Sequence, residues 1–112
     1  MDTKYIKLIN NISISDWSHD SISTNINGYP KYIFTKENNN QKLDIEIEPY
    51  DGYDSGEPKG DLEFYVNVYT YNTYDESTNE WIDSELKNSK RFKDVDVAVD
   101  YLIDKLKDSA NL

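Results

Sequence analysis

His19 is the single histidine of the 112-residue chain, the residue type most used as a general acid or base. It stands in the run Ser18, His19, Asp20, whose residue types match a nucleophile, a base and an orienting acid. Consecutive side chains diverge, however, and the members of such a triad meet by folding rather than by adjacency. With one histidine and no cysteine, a zinc site would be built mostly of carboxylates, a donor set zinc rarely takes. His19 therefore reads as a polar loop residue, and the absence of cysteine excludes disulfides.

The acids are the second candidate for chemistry. Asp51, Asp54, Glu57 and Asp61 lie in "DGYDSGEPKGD" and could offer oxygens to calcium. An EF-hand loop starting at Asp51 puts Tyr53 and Leu62 where ligands are needed, so an acidic turn is the simpler reading and a looser calcium site the alternative. Two-carboxylate hydrolysis needs one acid kept protonated in an apolar cleft, which a small sheet with one helix has little room to form. Glycine-rich phosphate loops are absent from the sequence. The expectation is a protein that is not an enzyme and needs no cofactor or metal. Lys87, Lys90, Arg91 and Lys93 form a short basic segment that pairing with nearby acids explains.

The remaining chemistry is recognition, and it is concentrated in "DLEFYVNVYTYNTY" (residues 61–74). Leu62, Phe64, Val66 and Val68 take one side of a two-residue repeat. Glu63, Tyr65, Asn67, Tyr69 and Tyr71 take the other. In "KLDIEIE", Leu43, Ile45 and Ile47 alternate in the same way with Asp44, Glu46 and Glu48. If a helix covers the apolar side, the opposite side carries an acid row beside a tyrosine row. Same-side residues of a strand lie about 6.7 Å apart, so the row spaces its carboxylates much as a nucleic-acid strand spaces its phosphates. The phenol rings would stand in for bases. The eight candidate contact residues are Asp44, Glu46, Glu48, Glu63, Tyr65, Asn67, Tyr69 and Tyr71. A plainer explanation stands beside this one. Tyrosine favours strands and cross-strand pairs, and the N-terminal segment could cover the face as a second, minor core.

Charge points the same way. The chain has 22 acids and 12 lysines plus arginines, a formal net charge of −10. From Glu37 to Glu85 there are fourteen acids against two lysines; the remainder holds eight acids and ten bases. Such a surface repels DNA, RNA and anionic lipid, which need a cationic footprint, and attracts basic proteins. An acidic surface also serves solubility alone. No run of roughly 18 apolar residues and no secretion-signal layout occurs, so a cytoplasmic protein without a membrane span is expected.

The elements that must position these residues are readable in outline. The length suits a single domain, residues 1–112. Val95, Val99, Leu102 and Leu106 form one face of a C-terminal helix, with Asp94 as its cap and Lys105 and Lys107 at its negative end. Residues 31–37, 42–48, 61–74 and 80–86 read as strands, with Trp81 or Ile82 facing the core in the last. The predicted fold is α+β: a four-stranded antiparallel β-meander with one C-terminal α-helix packed on one face. Residues 15–30 read as a loop anchored by Trp17, and the segment before them as a short strand or helix. The expected role is an acidic inhibitor that mimics nucleic acid, of the viral or mobile-element anti-defence type. Its expected partner is a basic nuclease or other nucleic-acid-binding protein. An immunity protein against a basic toxin, or a self-associating adaptor such as a homodimer, are the alternatives.

Overall fold

Apolar–polar alternation along successive segments, interrupted by polar turns, builds an antiparallel meander. The computed structural model describes residues 17–24, 26, 29–37, 40–50 and 62–108. Its elements are β1 (Ser18–Ile22), β2 (Lys31–Glu37), β3 (Lys42–Tyr50), β4 (Glu63–Asp75), β5 (Glu80–Phe92) and α1 (Val95–Asp108). The five strands form one sheet in the order β1-β2-β3-β4-β5, every neighbouring pair antiparallel. The architecture is thus α+β, with five strands where four were expected. None of the described helices is long and apolar enough to cross a membrane. The uncertain N-terminal start and the acidic loop over 51–61 lie outside the described residues.

The additional strand is β1, in the segment read as a loop. Its sequence, SHDSI, has no apolar alternation and all five residues are exposed, so tertiary contacts hold it in place. Ser18 Oγ donates to the Thr35 carbonyl (3.2 Å), and the His19 ring stacks on Phe34 (centroids 4.7 Å apart, 7° between planes) and on Tyr32 (5.1 Å). His19 is therefore a strand residue that caps the edge of the core, which corrects its placement in a loop.

The core lies between one sheet face and α1. Tyr32, Phe34, Leu43, Ile45, Ile47, Phe64 and Val66 meet Ala98, Val99, Leu102 and Leu106, and Trp17, Val68, Phe92 and Val95 pack around them. Asp94 starts the helix as expected: its Oδ1 accepts from the amides of Asp96 (2.8 Å) and Val97 (3.4 Å). Pro49 sits in β3 opposite Phe64, past the last β2 pairing at Tyr32–Ile47, so its missing N–H breaks no described bond to β2.

The β4–β5 hairpin is the longest feature. Each strand has 13 residues, about 43 Å at strand rise, whereas the 14 residues of α1 span about 21 Å. One helix cannot back the whole hairpin, and the half towards the turn has no described helix beneath it. This corrects the expectation that Trp81 or Ile82 faces the core. Neither does: Ile82 is exposed, and Trp81 packs edge-on against Tyr74 (5.4 Å) and donates from Nε1 to Glu37 (3.1 Å). The turn is closed by Asp75 Oδ1, which accepts from the amide (2.9 Å) and hydroxyl (2.6 Å) of Ser77, and by Asn79 in the left-handed region at φ 57°. β5 also runs to Phe92, so the basic segment belongs to a strand.

Leu102 is fully buried at the centre of the helix contact. Replacing it with alanine should cost roughly 2–5 kcal/mol, and Leu102→Asp should prevent folding. Asp94→Ala should cost about 1 kcal/mol through the lost cap. Urea unfolding followed by circular dichroism measures all three; a Leu102→Ala midpoint equal to wild type would contradict this placement of the core.

Candidate partner-binding face

The sheet face away from α1 carries all eight candidate residues. Register aligns them across β3 and β4: Asp44 opposite Tyr69, Glu46 opposite Asn67 and Glu48 opposite Tyr65, with Tyr50 opposite Glu63 and Lys42 opposite Tyr71. The juxtaposed acid and tyrosine rows are therefore present. What differs from the sequence-based picture is their electrostatic state.

Glu46 is 5% exposed and engaged on both oxygens. Its Oε1 accepts from Asn67 Nδ2 (3.0 Å) and its Oε2 lies 3.1 Å from Lys31 Nζ. The same amine lies 3.9 Å from Glu48 Oε2, and Asn67 Oδ1 in turn accepts from Ser89 Oγ (2.5 Å). This chain crosses from β2 to β5 and answers a strict requirement: a buried carboxylate must be paired and hydrogen-bonded. Asp44 Oδ1 accepts from Thr35 Oγ1 (2.7 Å), and Glu63 Oε2 sits 3.1 Å from Arg91 Nε. Lys42 Nζ lies 4.9 Å from the Tyr71 ring centroid. Three cations thus stand among the acids, so the face is a mixed polar lattice rather than an open carboxylate array. Glu48 keeps 43% of its side-chain exposure, against 7% for Glu46 and 17% for Glu63.

The titration behaviour follows from this lattice. Burial pushes the Lys31 ammonium down, but its hydrogen bond to Glu46 and the charges of Glu46 and Glu48 outweigh that, and the net direction is up. Tyr69 is raised by burial and by the charge of Glu46, with Lys31 opposing. Tyr71 is raised by burial and then by the charge of Asp44. The hydrogen bond to Tyr65 and the charge of Glu63 raise Arg91 further.

Tyr65 meets Tyr50 edge-on (5.6 Å, 79°) at one end of the face. At the other end two apolar side chains extend the phenol row beyond what the sequence reading included. Leu86, opposite Tyr69, is 51% exposed, and Ile82, opposite Thr73, is 36% exposed. Neither could be placed from sequence, because a bulge between Val68 and Tyr69 shifts the β4–β5 register there. Among the described residues no cluster of histidines and acids could hold a metal ion. No protein-family model matches this chain, and neither a curated protein nor a solved structure matches it.

Lys31, Tyr32, Tyr69 and Tyr71 all have folded values above their ordinary 10.5 or 10.0. The folded state then holds protons that the unfolded state releases, so stability is fully present below about pH 10 and is lost as pH rises through the folded values. Denaturant midpoints should stay flat from neutral pH to about pH 9 and fall beyond. Tyr69→Phe should make the alkaline fall shallower; an unchanged slope would separate Tyr69 from this network.

Proposed function

We propose that this protein is a non-enzymatic acidic binding protein that engages a basic, nucleic-acid-handling protein and occupies the surface where nucleic acid would lie. The observation that carries this reading is the uncovered continuation of the tyrosine row into the β4–β5 hairpin. Tyr69, Tyr71, Ile82 and Leu86 share a sheet side on which no described element packs. Around them, residues 71–86 hold five acids (Asp75, Glu76, Glu80, Asp83 and Glu85) and no base.

A half-exposed aromatic and aliphatic strip that runs from a mixed polar lattice into an acidic hairpin has the composition of a recognition surface. The rings and Leu86 supply area that excludes water, and the acids steer an oppositely charged partner towards it. Glu46, committed to Lys31 and Asn67, keeps the strands in register beneath the strip and offers little charge to a partner. Contact falls instead to Glu48, Asp44, Tyr65, Tyr69 and Tyr71, with the hairpin acids as the steering element. Glu63 and Arg91 act as an ion pair at the margin. A basic groove built for a phosphate backbone matches this arrangement in sign and in its taste for flat rings.

Partner captured from a host lysate should be released by a short DNA or RNA duplex and should bind more weakly as salt rises. Glu48→Lys should slow association and flatten its salt dependence. Tyr69→Ala should speed dissociation, at a cost of roughly 1–3 kcal/mol if the ring anchors the contact. Surface plasmon resonance on both variants, with folding checked by circular dichroism, decides the matter. If both folded variants bind as wild type does, this face is not the contact surface.

A further inference from the structure

We propose that the outer edge of β5 is a pairing edge for a second copy of this chain, joined antiparallel about a twofold axis perpendicular to the sheet. β5 ends the strand order and has 13 residues, against five in β1 at the other edge. A long edge strand whose outer amides and carbonyls pair with no described strand is a template for another strand unless something blocks it.

Charge selects the occupant. The half of β5 near the turn carries Glu80, Asp83 and Glu85; the other half and the residue after it carry Lys87, Lys90, Arg91 and Lys93. An antiparallel twofold lays each half against the opposite half of the partner copy, so acids meet bases twice. In this part of the described surface the acid excess of the chain reverses, so two copies of net charge −10 can attract there.

The bulge fixes the register. Tyr69 pairs with Leu86 and Val68 with Asn88, so Lys87 is the extra residue and the alternation of sides slips there by one. Glu85, opposite Thr70, and Lys90, opposite Val66, both lie on the helix side of the sheet; Leu86 and Ser89 lie on the other. Side chains that face each other across a pair of strands must share a side. Self-pairing therefore sets Glu85 against Lys90, Leu86 against Ser89 and Ser84 against Arg91. The half-exposed Leu86 side chain comes close to the axis, where pairing covers it. Asp83, left-handed at φ 60°, is a backbone irregularity just outside the paired run Ser84–Arg91, and a twofold contact closes as a dimer. The present partners of these residues are easily exchanged: Glu85 lies 3.0 Å from Lys87, both well exposed, and Lys90 Nζ is 5.1 Å from the Tyr101 ring centroid on the same helix side. The pairing uses an edge and leaves Tyr65, Tyr69 and Tyr71 open, while it takes Leu86 and Glu85 from the rim of the strip described above.

Sedimentation equilibrium of the full chain, from micromolar to millimolar, should show a reversible monomer–dimer equilibrium. Glu85→Lys and Lys90→Glu should each weaken it about tenfold, since each puts two like charges opposite one another in the dimer. The double variant should recover the wild-type constant. Mixed with wild type it should form homodimers only, because each mixed dimer sets like charge against like. A monomer at all concentrations overturns the proposal. So does a dimer that Tyr69→Ala abolishes while the charge variants, folded by circular dichroism, leave it intact.

Discussion

Among the described residues one 14-residue helix covers a five-stranded sheet, and much of the described structure follows from that limited cover. A sheet needs apolar burial on at least one face, and α1 provides it only where Val99, Leu102 and Leu106 reach β3, β4 and the root of β5. Under the helix the strands can afford phenylalanine, isoleucine and valine. On the opposite face they carry paired polar groups, and along the hairpin beyond the helix they carry exposed tyrosine, tryptophan and acid. The same constraint explains why β1 is held by stacking and one hydroxyl: it lies at the margin of the covered area.

The polar face is not simply a wet surface. Glu46 and Asn67 are nearly as buried as the core, because Lys31, Tyr69 and their neighbours crowd over the strands. A carboxylate at that depth is tolerable only with its lone pairs met, and Lys31, Asn67 and Ser89 meet them in a chain across four strands. Such a chain fixes register as well as satisfying charge. Sliding β4 by one residue against β3 would set Val66 or Val68 opposite Glu46 and leave it buried among apolar groups.

The sequence made part of this legible. Strict alternation in Leu43–Glu48 and in Leu62–Tyr71 assigns both strands and both faces, and the Val99, Leu102, Leu106 spacing assigns the helix and its buried side. β1 has no such pattern, and the basic half of β5 has none either, because an edge strand that is bare on one face need not alternate. The electrostatics of the tyrosine face were hidden for a different reason. Lys31 and Arg91 are remote in sequence from Glu46 and Glu63, and only register brings them together; an acid row read strand by strand looks unpaired. The placement of Trp81 failed on the assumption that α1 reaches the end of the hairpin, which the 1.5 Å rise of a helix against the 3.3 Å rise of a strand forbids.

Charge neutralisation under Tyr69 and a strongly acidic chain are compatible because the two lie in different places. The hairpin carries its acids from Asp75 to Glu85 and its bases from Lys87 to Arg91, along one pair of strands. From Asp75 at the tip to Tyr65, which pairs with Arg91, is ten residues of β4, about 33 Å, while the screening length at physiological salt is about 8 Å. An approaching molecule therefore feels the acidic tip and the basic root as separate surfaces rather than as one averaged charge. The tip can draw in a cationic partner although the body behind it is locally balanced. The root can meet the tip of another copy although the two molecules repel as wholes. That separation is set by the length of the strands, so the same geometric mismatch that leaves the outer half of the hairpin without a described helix beneath it also gives the molecule two independent electrostatic faces.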